Sequence, residues 1–165
     1  MTLTLPAEQQ ILMTREFAAP ARLVYRAYTT PELVMRWWAG RRGRVRSADI
    51  DLRVGGAWRW VMDADDGHEV AFHGVYREIV PDERLVHTET FEGAPDAEAL
   101  VTVTFAEDDG RTTLSILMEL PSREVRDAIV ASGMEGGAME SLELLEEVAR
   151  ELAAPRADTQ PPDGR

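Results

Sequence analysis

Cysteine is absent from this chain, and its absence excludes disulfides, thiolate metal sites and cysteine nucleophiles. Lysine is absent too. All 18 basic residues are arginine, so Schiff-base and lysine-nucleophile chemistry are excluded. No apolar run approaches the roughly 20 residues that a membrane-spanning helix needs. The segment from Met1 to Pro6 lacks the basic start and apolar centre of a secretory signal. These absences set the expectation of a cytoplasmic protein. Positive charge is also in deficit. Thirty acidic residues against 18 arginines leave a net charge of −12, which argues against nucleic-acid or membrane partners. With 165 residues, a single domain is expected, able to bury roughly 70% of its unfolded surface.

Catalytic and cofactor signatures are missing as well. No nucleophile-elbow Gly-x-Ser-x-Gly, phosphate-cradling loop or dinucleotide fingerprint occurs. The only histidines are His68, His73 and His87. His68 and His73 differ by an odd number and so point to opposite faces of one strand, which argues against a shared metal site. Neither a metal nor any other cofactor is expected.

What is present is patterning. Residues 11–17 alternate as a strand. Pro20 suits the first turn of a helix carrying Leu23, Val24, Ala27 and Tyr28. Thr30, as N-cap, and Pro31 start a second short helix, with Leu33, Val34 and Trp37 inward. The period then becomes two. Strands are read at 47–54, 57–62, 68–80, 85–91, 100–106 and 112–120, with Gly55-Gly56 as a two-residue hairpin turn. Short turns between consecutive strands make the sheet antiparallel. Ser122 caps a helix, Gly133, Gly136 and Gly137 predict a break or bend, and 138–152 is helical with a Leu142, Leu145, Ala149, Leu152 stripe. After Leu152 the chain turns to Pro, Asp, Gly and Arg, read as a disordered tail. The domain plan is an extension over 1–9, one domain over 10–153 and a tail over 154–165. Its class is α+β: a curved antiparallel sheet around one long C-terminal helix, with two short helices after the first strand.

Several motifs occur in this order: Arg15-Glu16-Phe17-x-Ala19-Pro20, Thr30-Pro31-Glu32 followed by Trp37-Trp38, and Asp51-Leu52-Arg53-Val54-Gly55-Gly56. Further on come Gly74 to Ile79 with Pro81, Arg84-Leu85, and Ser132-Gly133-Met134-Glu135-x-Gly137. Over residues 10–152 the chain resembles the START/birch-pollen-allergen helix-grip superfamily. Within it, the chain is similar to the bacterial branch related to the activator of the 90-kDa heat-shock-protein ATPase. The resemblance implies a helix-grip fold and a pocket for apolar or aromatic molecules, without an assigned reaction. An aromatic residue more often follows the glycine matching Gly137; here Ala138 stands there. The name-giving co-chaperone has a further N-terminal domain that grips the chaperone, and about ten residues before the first strand leave no room for one.

The candidate site residues follow from faces. Trp58, Trp60 and Met62 alternate on one side of their strand, and Phe72, Gly74 and Tyr76 on one side of the next. They form an aromatic floor or ordinary core, with Gly74 leaving room for a ligand or for the long helix. Trp37 and Trp38 form a wall or lid. Met118, Met134 and Met139 are adaptable lining, equally suited to core. His73, Thr88 and Thr104 are the polar groups assigned to orient a ligand, and His73 or His87 could also serve as a general base. Arg36, Arg41, Arg42, Arg44 and Arg46 either clamp an anion or form a solvated loop. The reading is a module that binds a small hydrophobic or aromatic molecule. A cyclase, dehydratase or hydrolase, and a chaperone-regulating protein, are the alternatives. A homodimer is left open.

Overall fold

The computed structural model describes residues 1–154. Among them eight strands form one antiparallel sheet: β1 (Thr2–Thr4), β2 (Gln10–Phe17), β3 (Gly43–Ile50), β4 (Ala57–Ala64), β5 (Glu69–Val80), β6 (Arg84–Phe91), β7 (Ala99–Asp108) and β8 (Arg111–Glu119). Their spatial order is β1-β2-β8-β7-β6-β5-β4-β3. Helices α1 (Ala21–Thr29) and α2 (Pro31–Trp37) follow β2, and α3 (Arg123–Ala131) and α4 (Met134–Ala153) follow β8. This is the curved sheet and long C-terminal helix that the sequence led to, a helix-grip fold. Apart from Ala154, the expected tail lies outside the described residues. No described helix is long and apolar enough to cross a membrane.

Four local expectations need correction. Residues 1–9 are not a bare extension, because β1 pairs with β2 from Thr2↔Thr14 to Thr4↔Leu12 and forms the sheet edge. The third strand begins at Gly43 rather than Ser47, and a bulge between Val45 and Ser47 resets its inward face. Gly55-Gly56 is not a two-residue turn. The loop from Asp51 to Gly56 folds back so that the Gly55 N–H donates to the Tyr76 carbonyl at 2.8 Å, while the Gly56 carbonyl accepts from the Tyr76 N–H at 3.0 Å. A Cβ on Gly56 would stand 2.1 Å from the Asp51 carbonyl oxygen, which explains the glycine. Finally, only Ser132 and Gly133 separate α3 from α4, while Gly136 and Gly137 lie inside α4. Ser122 caps α3 as expected, accepting from the Val125 N–H at 3.1 Å. Thr30 occupies the N-cap position of α2 without a side-chain hydrogen bond.

The inner face of the sheet packs on α1, α2 and α4. Ile11 and Phe17 of β2, Leu114 of β8, Val101 and Val103 of β7 and Leu85 of β6 are essentially unexposed, as are Val24, Val34 and Leu145 of the helices. Each such side chain contributes roughly 1.5–3 kcal/mol by leaving water. Polar ties fix where α4 lies. Arg15 Nη1 donates to the Leu142 carbonyl at 2.5 Å, the Ala18 N–H donates to Glu146 at 3.0 Å, and Ser141 Oγ donates to the Trp38 carbonyl at 2.7 Å. Arg36, Arg41 and Arg42 pair with Glu151, Glu143 and Glu140 on the outer side of α4. Arg46 pairs with Asp63 and Glu69. The arginine cluster is therefore mostly engaged by the protein's own carboxylates. These exposed pairs are each worth under about 1 kcal/mol, so they orient the helix more than they hold it.

Gly133 has φ +83°, and a Cβ there would meet nothing within 4 Å. Gly133→Ala thus isolates backbone strain from steric clash. We expect a loss of about 1 kcal/mol, read as a lower urea midpoint with an unchanged slope. No loss would mean that the α3–α4 junction does not require the left-handed conformation.

Candidate functional site

Strand alternation puts Trp58 and Trp60 on the inner face of β4, where they are 4% and 7% exposed. Around Trp60 four rings converge edge to face or tilted: Trp37 at 5.8 Å, Trp38 at 5.7 Å, Trp58 at 5.3 Å and Tyr28 at 6.2 Å between centroids. Trp38 also meets Phe72 at 5.8 Å, and Trp58 meets the His87 ring at 5.2 Å. Tyr76 lies 6.0 Å from His87. Tyr28, Trp38 and Phe72 are only half-buried. The cluster runs from the buried floor of β4 and β5 towards the ends of α1 and α2.

Polar groups sit within this aromatic shell. Glu89 shares the inner face of β6 with Leu85 and His87 and stands opposite the small residue Ala99 of β7. Continuing the ladder from His73↔Thr90 places Gly74 on its other side. Burial raises the Glu89 carboxyl from the ordinary 4.5 to about 7, and it makes no ion pair among the described residues. Burial also raises the Tyr28 phenol, with the Glu89 charge adding to it. Burial likewise raises the Tyr76 phenol, with Tyr25 a smaller cause. His87 goes the other way. Burial lowers it to about 4, although its ring lies 3.0 Å from the Thr88 carbonyl oxygen and donates to it through Nδ1–H in that tautomer. Glu89 and Tyr28 lie deep enough for burial to shift both, yet each keeps some accessible surface.

The sequence candidates divide by face. Trp37, Trp38, Trp58, Trp60, Phe72 and Tyr76 come together in the core on this face, with Met62 half-buried on the same face of β4. Gly74 makes room for a neighbouring side chain and strand. A Cβ there would stand 2.6 Å from Trp58 Nε1 and 1.9 Å from the Thr88 carbonyl oxygen, so the indole of Trp58 occupies its space. Met118 belongs to the inner core of β8, in the row Ile11–Met118–Val101–His87. Met134 is half-buried against the core at the start of α4, whereas Met139 is 43% exposed. Three polar candidates are elsewhere. His73 is exposed on the outer face, 3.0 Å from Glu92, which Arg59 also holds at 2.9 Å. Thr88 faces outward, its Oγ1 accepting from the Val75 N–H at 2.9 Å. Thr104 is half-buried opposite Val103 and Phe105, on the outer face too. Glu89 and Tyr28 were not anticipated as site residues. The period of β6 could have placed Glu89 inward, since it alternates with Leu85 and His87.

A separate open groove of about 510 Å³ lies on the outer side of the sheet, lined by Arg77, Val86, Thr88, Glu98, Leu100 and Glu119 among others. Among the described residues no cluster of His, Asp or Glu is arranged to hold a metal.

The two inner titratable groups act on stability with opposite sign. Glu89 is protonated in the fold up to about pH 7 but ionises near 4.5 when unfolded, so stability falls as pH rises between these values. His87 is neutral in the fold down to about pH 4 but protonates near 6.5 when unfolded, so stability falls as pH drops across that window. From 4.5 to 6.5 the two slopes oppose. Glu89→Gln should remove one of them. Urea titrations at pH 4.5 and 8 should show the variant gaining on the wild type by up to about 3 kcal/mol at the higher pH. An equal difference at both values would show that Glu89 ionises normally.

Comparison with known proteins follows the same lines. The family described as Activator of Hsp90 ATPase homolog 1-like protein matches residues 18–150. No curated protein matches in sequence. A crystal structure of a Rhodobacter sphaeroides protein is 26% identical, with a TM-score of 0.84 over 92% of this chain and 98% of that one. One from Chromobacterium violaceum is 31% identical, with a TM-score of 0.76 over 87% and 98%. The AHSA1-like protein from Aeromonas hydrophila, at 21% identity, shares the fold with a TM-score of 0.64 over 88% and 96%. With a match spanning β2's end to the last turns of α4, this chain belongs to the Activator of Hsp90 ATPase homolog 1-like family.

Proposed function

We propose that this protein binds a small hydrophobic or aromatic molecule in the hollow between the curved sheet and the helices. One observation carries the reading: the rings of Trp37, Trp38, Trp60 and Phe72 converge between sheet and helices beside Tyr28 and Glu89, two polar groups that burial shifts and that keep some accessible surface. Apolar walls with few convergent polar groups are the usual make-up of a small-molecule site. The half-buried Trp38 and Phe72, with Met134 at the start of α4, mark the side from which a guest would enter. The net charge of −12 favours neither nucleic acid nor an anionic membrane as partner. A second reading, an enzyme acting on an apolar substrate, is favoured by the Glu89 carboxyl. A group titrating at about 7 suits proton transfer at neutral pH. It predicts that Glu89→Gln keeps ligand affinity and loses turnover.

The test is a thermal-shift screen with sterols, fatty acids, polyketides and naphthalene derivatives, followed by native mass spectrometry of the hits. A ligand at one hundred times its dissociation constant adds about 2.7 kcal/mol, which corresponds to roughly 5–10 °C for a domain of this size. If no apolar compound moves the melting temperature and none is retained in the mass spectrum, the reading fails.

A further inference from the structure

The two faces of the sheet are covered unequally. Helices α1, α2 and α4 lie on the inner face, while on the outer face Val75 and Leu100 are 36% and 38% exposed. Parity and register set the outer side chains in rows across the strands. Val75 of β5, Thr88 of β6, Leu100 of β7 and Glu119 of β8 form one row. The bulge between Tyr76 and Glu78 adds Arg77 beside Val86, in a second row with Thr102 and Leu117. The groove of about 510 Å³ runs over these rows, and its charges are separated. Arg77, on the β5 side, is the one basic residue lining it, whereas Glu98 and Glu119 line the β7–β8 side. Among the described residues none of the three makes an ion pair. Arg59 and Arg84, on the neighbouring strands β4 and β6, are by contrast held by Glu92 and Glu78.

We propose that this outer face docks a second copy of the chain, related by a two-fold axis running along the strands between β6 and β7. This goes beyond the binding reading, which concerns the inner face. The sheet order there is β8-β7-β6-β5, so such an axis lays β5 of one protomer over β8 of its partner, and β6 over β7. Three strand spacings separate Arg77 from Glu119 by about 14 Å within one sheet, too far for the two side chains to meet. Across the axis each falls over the other. The same contact is therefore made twice: the Arg77 guanidinium of each protomer meets the Glu119 and Glu98 carboxylates of the other. Between these two sites Val75, Val86 and Leu100 are removed from water, which supplies the favourable apolar term. Sheets packed face to face with aligned strands are an ordinary arrangement. A face with opposite charges at mirrored positions is complementary to itself, whereas a partner of a single sign would meet like charge at one end. The net charge of −12 opposes self-association at long range, so the local match selects the face and the orientation.

Sedimentation velocity on the full chain tests this. The native protein should pass from monomer to dimer between about 1 µM and about 1 mM. Arg77→Glu and Glu119→Arg should each weaken the dimer at least roughly tenfold, because either change sets like charges together at both contacts. Both side chains are exposed, so neither change threatens the fold. An equimolar mixture of the two variants should regain the dimer as a heterodimer, since each contact then joins opposite charges again. Only a two-fold pairing of these positions behaves in that way. A native chain that stays monomeric up to about 1 mM overturns the inference and leaves the groove to a different occupant. A dimer that neither variant weakens overturns it too, and would move the contact to another surface, such as the outer edge of β1 or β3. Two weakened variants whose mixture fails to recover would equally rule out the proposed axis.

Discussion

The inner face of the sheet is covered by two kinds of side chain, and the character of the interior follows from that division. The buried residues of α4 are Leu142, Leu145, Val148 and Ala149, all in its middle turns. With Val24 and Ala27 of α1 they complete a largely aliphatic core over β2, β8 and β7, in which Phe17, Tyr25 and Phe105 are the rings. Over β4 and β5 the cover is aromatic instead, supplied by Trp58, Trp60 and Tyr76 of the sheet and by Trp37 and Trp38 at the end of α2. Aliphatic chains bend to fill corners, whereas rigid rings meet edge to face. An aliphatic half fills its corners, and in the aromatic half the rings frame the polar groups of Tyr28 and Glu89.

The charges are arranged to match. Arg36, Arg41 and Arg42 are held on the outer side of α4, Arg46 on β3, and Arg59 on the outer side of β4. None of them reaches Glu89, and a guanidinium in contact would hold that carboxyl well below its ordinary range. Leaving the inner acid and the inner imidazole without charged partners keeps both neutral over much of the range between pH 4 and 7. The interior is polar in hydrogen-bonding capacity yet carries little charge. That combination suits an uncharged guest better than an ionic one.

Much of this was legible in the sequence, and the failures have local causes. The period-two run through Trp58 and Trp60 placed both indoles inward, because a strand leaves no other option. The same parity would have put His73 outward, opposite Phe72 and Gly74. Its chemistry, rather than its position, made it a candidate. Glu89 shows the converse: parity with Leu85 and His87 pointed inward, while its charge pointed to solvent. β1 was missed because three residues, Thr2 to Thr4, are too few to display a period, and only pairing with β2 makes them a strand. The bulge at Val45 and Ser47 hid the start of β3. The partners of the arginine cluster lie about a hundred residues away on α4, a separation that no local pattern can bridge.

Two glutamates, Glu89 and Glu92, show why the inner face rather than the outer is the place to look for chemistry. They are three residues apart near the end of β6, on opposite sides of the sheet. Arg59, and then His73, hold Glu92 down at about 2, so it stays ionised at any physiological pH and serves to fix its neighbours. Burial alone raises Glu89 to about 7, where its two protonation states are equally populated near neutrality. The outer trio of Arg59, His73 and Glu92 has the residue types of a catalytic relay, but it is exposed and its acid is saturated with partners. The inner carboxyl has the opposite properties: enclosed, unpaired and poised. Environment, not residue type, separates a group that can respond to a ligand from one that only braces the surface.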